Sequence, residues 1–243
     1  MTVISPEQGS DARLAELAAN LAAVRARIDA ACADAGRPAS QVRLIAITKT
    51  FPAADVLLLH RLGLTEFGEN KDQEAAPKAA ECAAAGVALR WHFVGQLQVN
   101  KAASVASYAD VVHSVDRERL VSALGRRATA AGRQLSCLVQ VSLDGAPGRG
   151  GALPAQVSGL AEAIAREPGL TLGGVMAVAP LGAPARPAYA RLREIAESVR
   201  SQHAGADMIS AGMSGDLGEA IAEGATHVRI GTALLGGRRA FVR

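Results

Sequence analysis

Leu44-Ile45-Ala46-Ile47-Thr48-Lys49 is a short, β-branched apolar run that closes on a lysine. Its length and composition predict a buried strand. A helical stretch follows at 53–62, and the alternation then repeats along the chain. Further β-rich runs read TEFGEN (65–70), WHFVG (91–95), VVHSV (111–115), CLVQVSL (137–143), GGVMAVA (173–179), DMISAGM (207–213) and HVRIG (227–231). Helical stretches lie between them at 71–85, 100–108, 117–131, 154–166, 187–202 and 216–223. Eight strands separated by seven helical stretches predict a parallel sheet covered by helices. An open doubly wound sheet is the competing arrangement. Its glycine-rich dinucleotide fingerprint is missing after the first strand, so the expected fold is an α/β class, single (β/α)8 TIM-type barrel. Ahead of the repeat, Leu14, Leu17, Leu21, Val24, Ile28 and Cys32 recur at spacings of three and four, which adds an N-terminal helix over 11–35.

Composition agrees with one cooperative unit. The chain has 243 residues, 49% of them hydrophobic and 20% charged, ample for a core of Ala, Val, Leu and Ile. Domain 1–243 is expected to be single, with loose ends at 1–10 and 238–243. Aromatics are only 3%, which leaves little for base-stacking platforms and argues against nucleic acid. The net charge of +3 is spread along the chain, a mild bias toward anionic ligands. Three widely separated cysteines support neither a disulfide framework nor a metal site, so no metal is expected and a reducing cytoplasm fits best. No run approaches the ~20 apolar residues of a membrane span. No membrane association is expected.

Several strand ends carry chemistry. Lys49 shares a strand face with Ile45 and Ile47, and at the barrel mouth apolar walls would favour a neutral amine able to attack an aldehyde. Taken alone, a strand-end lysine that snorkels to water is the commoner case. Met213-Ser214-Gly215-Asp216-Leu217 and Arg229-Ile230-Gly231-Thr232 are small-residue exits from the seventh and eighth strands, where such barrels frequently bind phosphate. Helix capping and a plain turn explain either stretch equally well by itself. Arg229 alternates with Val228 and Ile230 and so points inward, toward a pyridine nitrogen that it would keep unprotonated or toward a carboxylate such as Glu69. Asn70 and His92 end strands where they could touch a planar ligand, although Asn70 could instead cap the helix at Lys71. Met176 could pack on a ring face or fill core space.

In order along the chain, IAITKTFPA around Lys49, FGEN at 67–70, WHFVGQLQ-NK at 91–101, HSVD at 113–116, GGVMAVAP at 173–180, GMSGDL at 212–217 and VRIGTALLG at 228–236 resemble the pyridoxal phosphate homeostasis family. That family, also called the proline synthase co-transcribed family, is related to the alanine racemase N-terminal barrel. The resemblance covers nearly the whole chain. It implies pyridoxal 5′-phosphate as cofactor, held as a Schiff base on Lys49, with Ser214, Gly215, Gly231 and Thr232 on the phosphate and Arg229 facing the pyridine nitrogen. Asn70, His92 and Met176 are implied around the ring.

By the same resemblance the protein buffers and delivers the cofactor, with dependent apoenzymes as partners and no established turnover. A weak racemase-like activity is the alternative. Racemisation needs a base on each face of the substrate α-carbon. The tyrosine that opposes the lysine in alanine racemase comes from a second domain of the partner subunit, which this sequence is not expected to carry. Tyr108 and Tyr189, expected at the end of the third barrel helix and within the sixth, are poorly placed for that role. A monomer is expected. A cofactor-free phosphosugar enzyme or a scaffold would use the same fold. One departure stands out: the fifth-strand loop carries Arg149 where the family pattern leads one to expect lysine, a cation without a lysine's nucleophilic chemistry.

Overall fold

In the computed structural model, residues 6–146 and 148–237 are described. The strands are β1 (Arg43–Ile47), β2 (Glu66–Glu69), β3 (Arg90–Phe93), β4 (Val111–Val115), β5 (Leu135–Gln140), β6 (Leu170–Met176), β7 (Met208–Ser210) and β8 (His227–Ile230). They pair in parallel in chain order, and β8 returns to β1 with Ile45 opposite Arg229, closing the barrel. The helices are α1 (Pro6–Asp34), α2 (Ala53–Arg61), α3 (Asp72–Ala84), α4 (Ala102–Tyr108), α5 (Glu118–Ala130), α6 (Pro154–Arg166), α7 (Ala185–Gln202), α8 (Leu217–Ala222) and α9 (Thr232–Leu235).

Strand alternation divides the side chains between two environments. Ala46, Phe67, Trp91, Val112, Val228 and Ile230 pack outward into the helix layer. Val111, Leu138 and Met176 form a small apolar cluster inside the barrel. Gly68 also belongs to the inner face, where an added Cβ would overlap the side chain of Ile47.

The N-terminal helix buries Leu17, Leu21, Val24, Ile28 and Cys32, the stripe read from the sequence. At about 1.5–3 kcal/mol for each large apolar side chain buried, this face is a substantial part of the fold's stability. Its polar residues finish the seam. Arg13 pairs with Asp55 on α2 at 2.8 Å, Arg13 and Asn20 donate to the carbonyls of Leu235 and Leu234, and Arg27 donates to the carbonyl of Ser214.

Some boundaries differ from expectation. Residues 6–10, expected as part of a loose end, continue α1. The remainder of the expected loose ends, 1–5 and 238–243, lies outside the described residues. The run at 207–213 gives only three strand residues, Met208–Ser210, and Gly212 beyond them takes a φ of 89° where the chain bends into the loop. Helix α7 starts at Ala185 and absorbs part of the Gly/Pro-rich loop. No described helix is long and apolar enough to cross a membrane.

Candidate functional site

The site residues meet where the carboxyl ends of β1, β7 and β8 lie side by side. Ala46 pairs with Ile230, and the open face of Gly231 lies against Ile47, so Lys49 leaves its strand beside the Gly231–Thr232 turn. The backbone N–H of Arg229 donates to the Gly212 carbonyl at 2.9 Å, which brings the loop carrying Ser214 and Gly215 alongside. Asp216 shapes that loop. Its carboxylate accepts the Met213 N–H at 2.6 Å and the Tyr189 hydroxyl at 2.8 Å. Gly215 and Thr232 are exposed and Ser214 is partly so, which leaves small-residue backbone open at both turns.

Lys49 departs from expectation. The strand ends at Ile47, and Lys49 is exposed instead of walled by apolar groups. The reason is local. The Phe51 N–H donates to the Thr48 carbonyl at 3.0 Å and closes a four-residue turn with Lys49 at its second position. Thr50, third in the turn, has φ 69°, the type II arrangement.

Arg229 is buried and points inward. Its Nη1 donates to Ser210 Oγ at 2.6 Å and its Nη2 to the Ala177 carbonyl at 2.9 Å. No carboxylate pairs with it among the described residues. Glu69, the alternative partner considered from sequence, lies on the outer face and is bonded to Lys78. Burial lowers the arginine's pKa, with Tyr189 and Asp216 opposing that shift.

Behind Arg229 runs a chain of inward-facing polar groups. Ser210 Oγ lies 2.9 Å from His113 Nδ1, His113 Nε2 lies 2.8 Å from His92 Nδ1, and His92 Nε2 lies 2.5 Å from Glu66 Oε2 at the opposite end of the barrel. Burial pushes both histidines toward the neutral form, while Glu66, though desolvated, is held below the usual carboxylate range by His92. These states permit only one proton arrangement. Glu66 can only accept, so His92 carries its proton on Nε2 and accepts on Nδ1. His113 therefore donates from Nε2 and accepts the Ser210 hydroxyl proton on Nδ1, leaving Ser210 oxygen to accept from Arg229. Every donor in the column points away from Arg229.

This corrects the expectation for His92. Both of its ring nitrogens are committed to protein partners, and His113 and Ser210 stand between it and Arg229, so it has no polar contact left for a ligand at the mouth. Glu66, His113 and Ser210 were missed from sequence. Asn70 does not cap α3, because the N-cap is Lys71, and its backbone oxygen lies against Gly95. Met176 ends β6, buried against Leu138, so core filling is at least part of its role. Tyr108 ends α4 and Tyr189 lies within α7, as expected; Tyr189 reaches the Ser214 loop through Asp216. Arg149 is held by Asp144 at 2.7 Å and by the Ala179 carbonyl at 3.1 Å, which staples the loop after β5 to the exit of β6.

The family model for the alanine racemase N-terminal domain matches residues 17–239. The pyridoxal phosphate homeostasis protein of Mycobacterium tuberculosis is 44% identical over 93% of this chain and 95% of its own length. The chain belongs to the pyridoxal phosphate homeostasis protein family. The homeostasis protein of Escherichia coli is 38% identical, over 92% of this chain and 97% of that one. Among solved structures, PipY of Synechococcus elongatus with PLP bound superposes with a TM-score of 0.79 at 35% identity, covering 90% of this chain and all of that one. Alanine racemase from Streptomyces lavendulae, at 20% identity and a TM-score of 0.67, shares the fold, and this chain covers 58% of it.

Proposed function

We propose that the chain binds pyridoxal 5′-phosphate at the carboxyl-end mouth of the barrel as a Schiff base on Lys49, and that it buffers the cofactor and hands it to dependent apoenzymes. The observation that carries this reading is Arg229. It is a buried guanidinium near the carboxyl ends of β6 and β7, braced by Ser210 and the Ala177 carbonyl and without a carboxylate partner among the described residues, an arrangement suited to a ring nitrogen that accepts a hydrogen bond. When bound, the cofactor supplies an aldehyde and an electron-withdrawing ring. The Ser214–Gly215 and Gly231–Thr232 turns receive the phosphate on open backbone N–H groups. Lys49 offers its amine from the turn after β1, beside the Gly231–Thr232 turn, and Asn70 and Met176 border the ring.

Arg229 keeps its proton and leaves the ring nitrogen without one, which weakens the ring as an electron sink and favours storage over turnover. A base opposite Lys49 has no candidate in Tyr189, whose hydroxyl is held by Asp216. Hand-over is supported by the large apolar side chains that stand exposed, Leu153, Leu181 and Met213, all on loops that leave β5, β6 and β7 at the same mouth. Three buried free thiols fit a reducing cytoplasm, and the protein is read as a monomer.

The test is an absorbance spectrum of the purified protein with added pyridoxal 5′-phosphate, before and after borohydride, beside Lys49→Ala. A yellow band that reduction fixes onto the Lys49 peptide and that the variant lacks is the expected result. A colourless protein sinks the assignment. Exchange of an amino acid's α-hydrogen with solvent deuterium would overturn the storage reading and leave the cofactor assignment standing.

A further inference from the structure

We infer that Lys78 is a positioning residue for Lys49. Together with Glu74 it fixes, from α3, the turn on which Lys49 stands. The inference rests on the reading of Lys49 as the residue that holds the cofactor.

Lys78 is a second lysine beside the site, on the buried stripe of α3 with Ala75, Ala79 and Cys82. Only 7% of its surface is exposed. Burying an ammonium is costly unless it is paired, so its partners define its role. Nζ donates to the Thr48 carbonyl at 2.8 Å and to Glu69 Oε1 at 2.5 Å, and the same carboxylate oxygen accepts the Thr48 hydroxyl at 2.6 Å. Thr48 is therefore held through both its carbonyl and its side chain.

Glu74, one turn earlier on the helix, accepts the Thr50 N–H at 2.9 Å. Lys49 lies between two residues that one helix grips. The grip has something to oppose, because a β-branched residue at positive φ is strained, and such conformations persist only where the surroundings over-determine them. Thr50 is the one non-glycine residue with positive φ among those described. Without the grip the turn would relax and the lysine would lose its fixed station beside the Gly231–Thr232 turn.

A storage protein has a specific use for this arrangement. Linkage to an aldehyde requires the amine to meet a carbonyl already docked by its phosphate, and fixing the amine removes that search from the step. The clamp thus acts on capture by Lys49 and leaves docking of the phosphate to the other turns.

The experiment compares wild type, Glu74→Ala and the double variant Lys78→Met/Glu69→Gln, which removes both buried charges together. Two probes are titrated: pyridoxal 5′-phosphate, which links to Lys49, and pyridoxamine 5′-phosphate, which has the same ring and phosphate but no aldehyde. The expected result is a loss of about tenfold or more in affinity for the aldehyde in both variants, with the amine probe unchanged within about twofold. If both probes weaken together, Lys78 is merely structural and the inference is overturned. Unchanged aldehyde capture in both variants overturns it as well. Should the double variant fail to fold, partly exposed Glu74 carries the same test alone. Failure of the underlying reading is visible separately, as a wild-type protein in which borohydride labels no peptide containing Lys49.

Discussion

Acid should destabilise this barrel through its own interior, and His227 makes the effect measurable. The ring sits on the inner face of β8, bonded to Thr226 at 2.8 Å, with His92, Glu66, Arg43 and Arg90 as its charged or titratable neighbours. Burial first, then His92, lowers its pKa from 6.5 to about 4, against the pull of Glu66. The folded state therefore resists a proton that the unfolded chain accepts. Stability is complete above pH 6.5, falls as the pH drops from 6.5 toward 4, and falls no further from this group below that. Linkage between those two values gives a loss of about 2 kcal/mol from pH 7.5 to 5.0, rising to about 3 kcal/mol at pH 4. The assay is urea unfolding of wild type and His227→Gln at pH 7.5 and 5.0. Glu69, whose carboxyl is raised by burial and so works in the opposite direction, is present in both proteins and cancels in the comparison. Wild type should lose about 2 kcal/mol more than the variant. Equal losses would refute the reasoning, since the remaining pH dependence would then belong wholly to other groups.

Ser210→Ala removes the hydroxyl joining Arg229 to His113, leaving a buried guanidinium N–H and a buried imidazole nitrogen without partners. Chemical denaturation should show a loss of about 3 kcal/mol, and less than 1 kcal/mol would mean that the column is not continuous. Gly95→Ala places a methyl group inside the backbone of Asn70. The expected cost is about 2–3 kcal/mol with weaker cofactor binding, and an unshifted melting temperature would show that the two loops can part freely.

Much of this was legible because strand parity is a strict signal. Ile45 and Ile47 fixed the inner face of β1, Val228 and Ile230 placed Arg229 inside, and the stripe from Leu17 to Cys32 marked α1. The polar column obeys the same parity, with Glu66, His92, His113, Ser210 and Arg229 all at inward positions, yet it was read only in pieces. Each histidine alone looks like a routine core residue, and the bonds join residues as far as 97 positions apart. Lys78 left a sharper trace, a charge among the small apolar residues Ala75, Ala79 and Cys82 of a helical stripe. Thr50 left none, since its backbone conformation is one that local propensity disfavours and only the bonds from α3 and the turn impose. The exposure of Lys49 follows from that same turn.

The seam closed by α1 has a consequence for the timing of synthesis. Helix α1 is made long before α8 and α9, which it binds, and Arg13 waits for a carbonyl 222 positions later. At about 5–20 residues per second, that is roughly 10–40 s during which α1 has α2 to pack on while its partners α8 and α9 are still to come. The two turns proposed to receive the phosphate are braced by this same helix, at the Ser214 carbonyl and through α9, so they too are completed only when α8 and α9 have joined it. On the proposed function, a chain still being made would then have no finished phosphate site with which to draw on the cofactor.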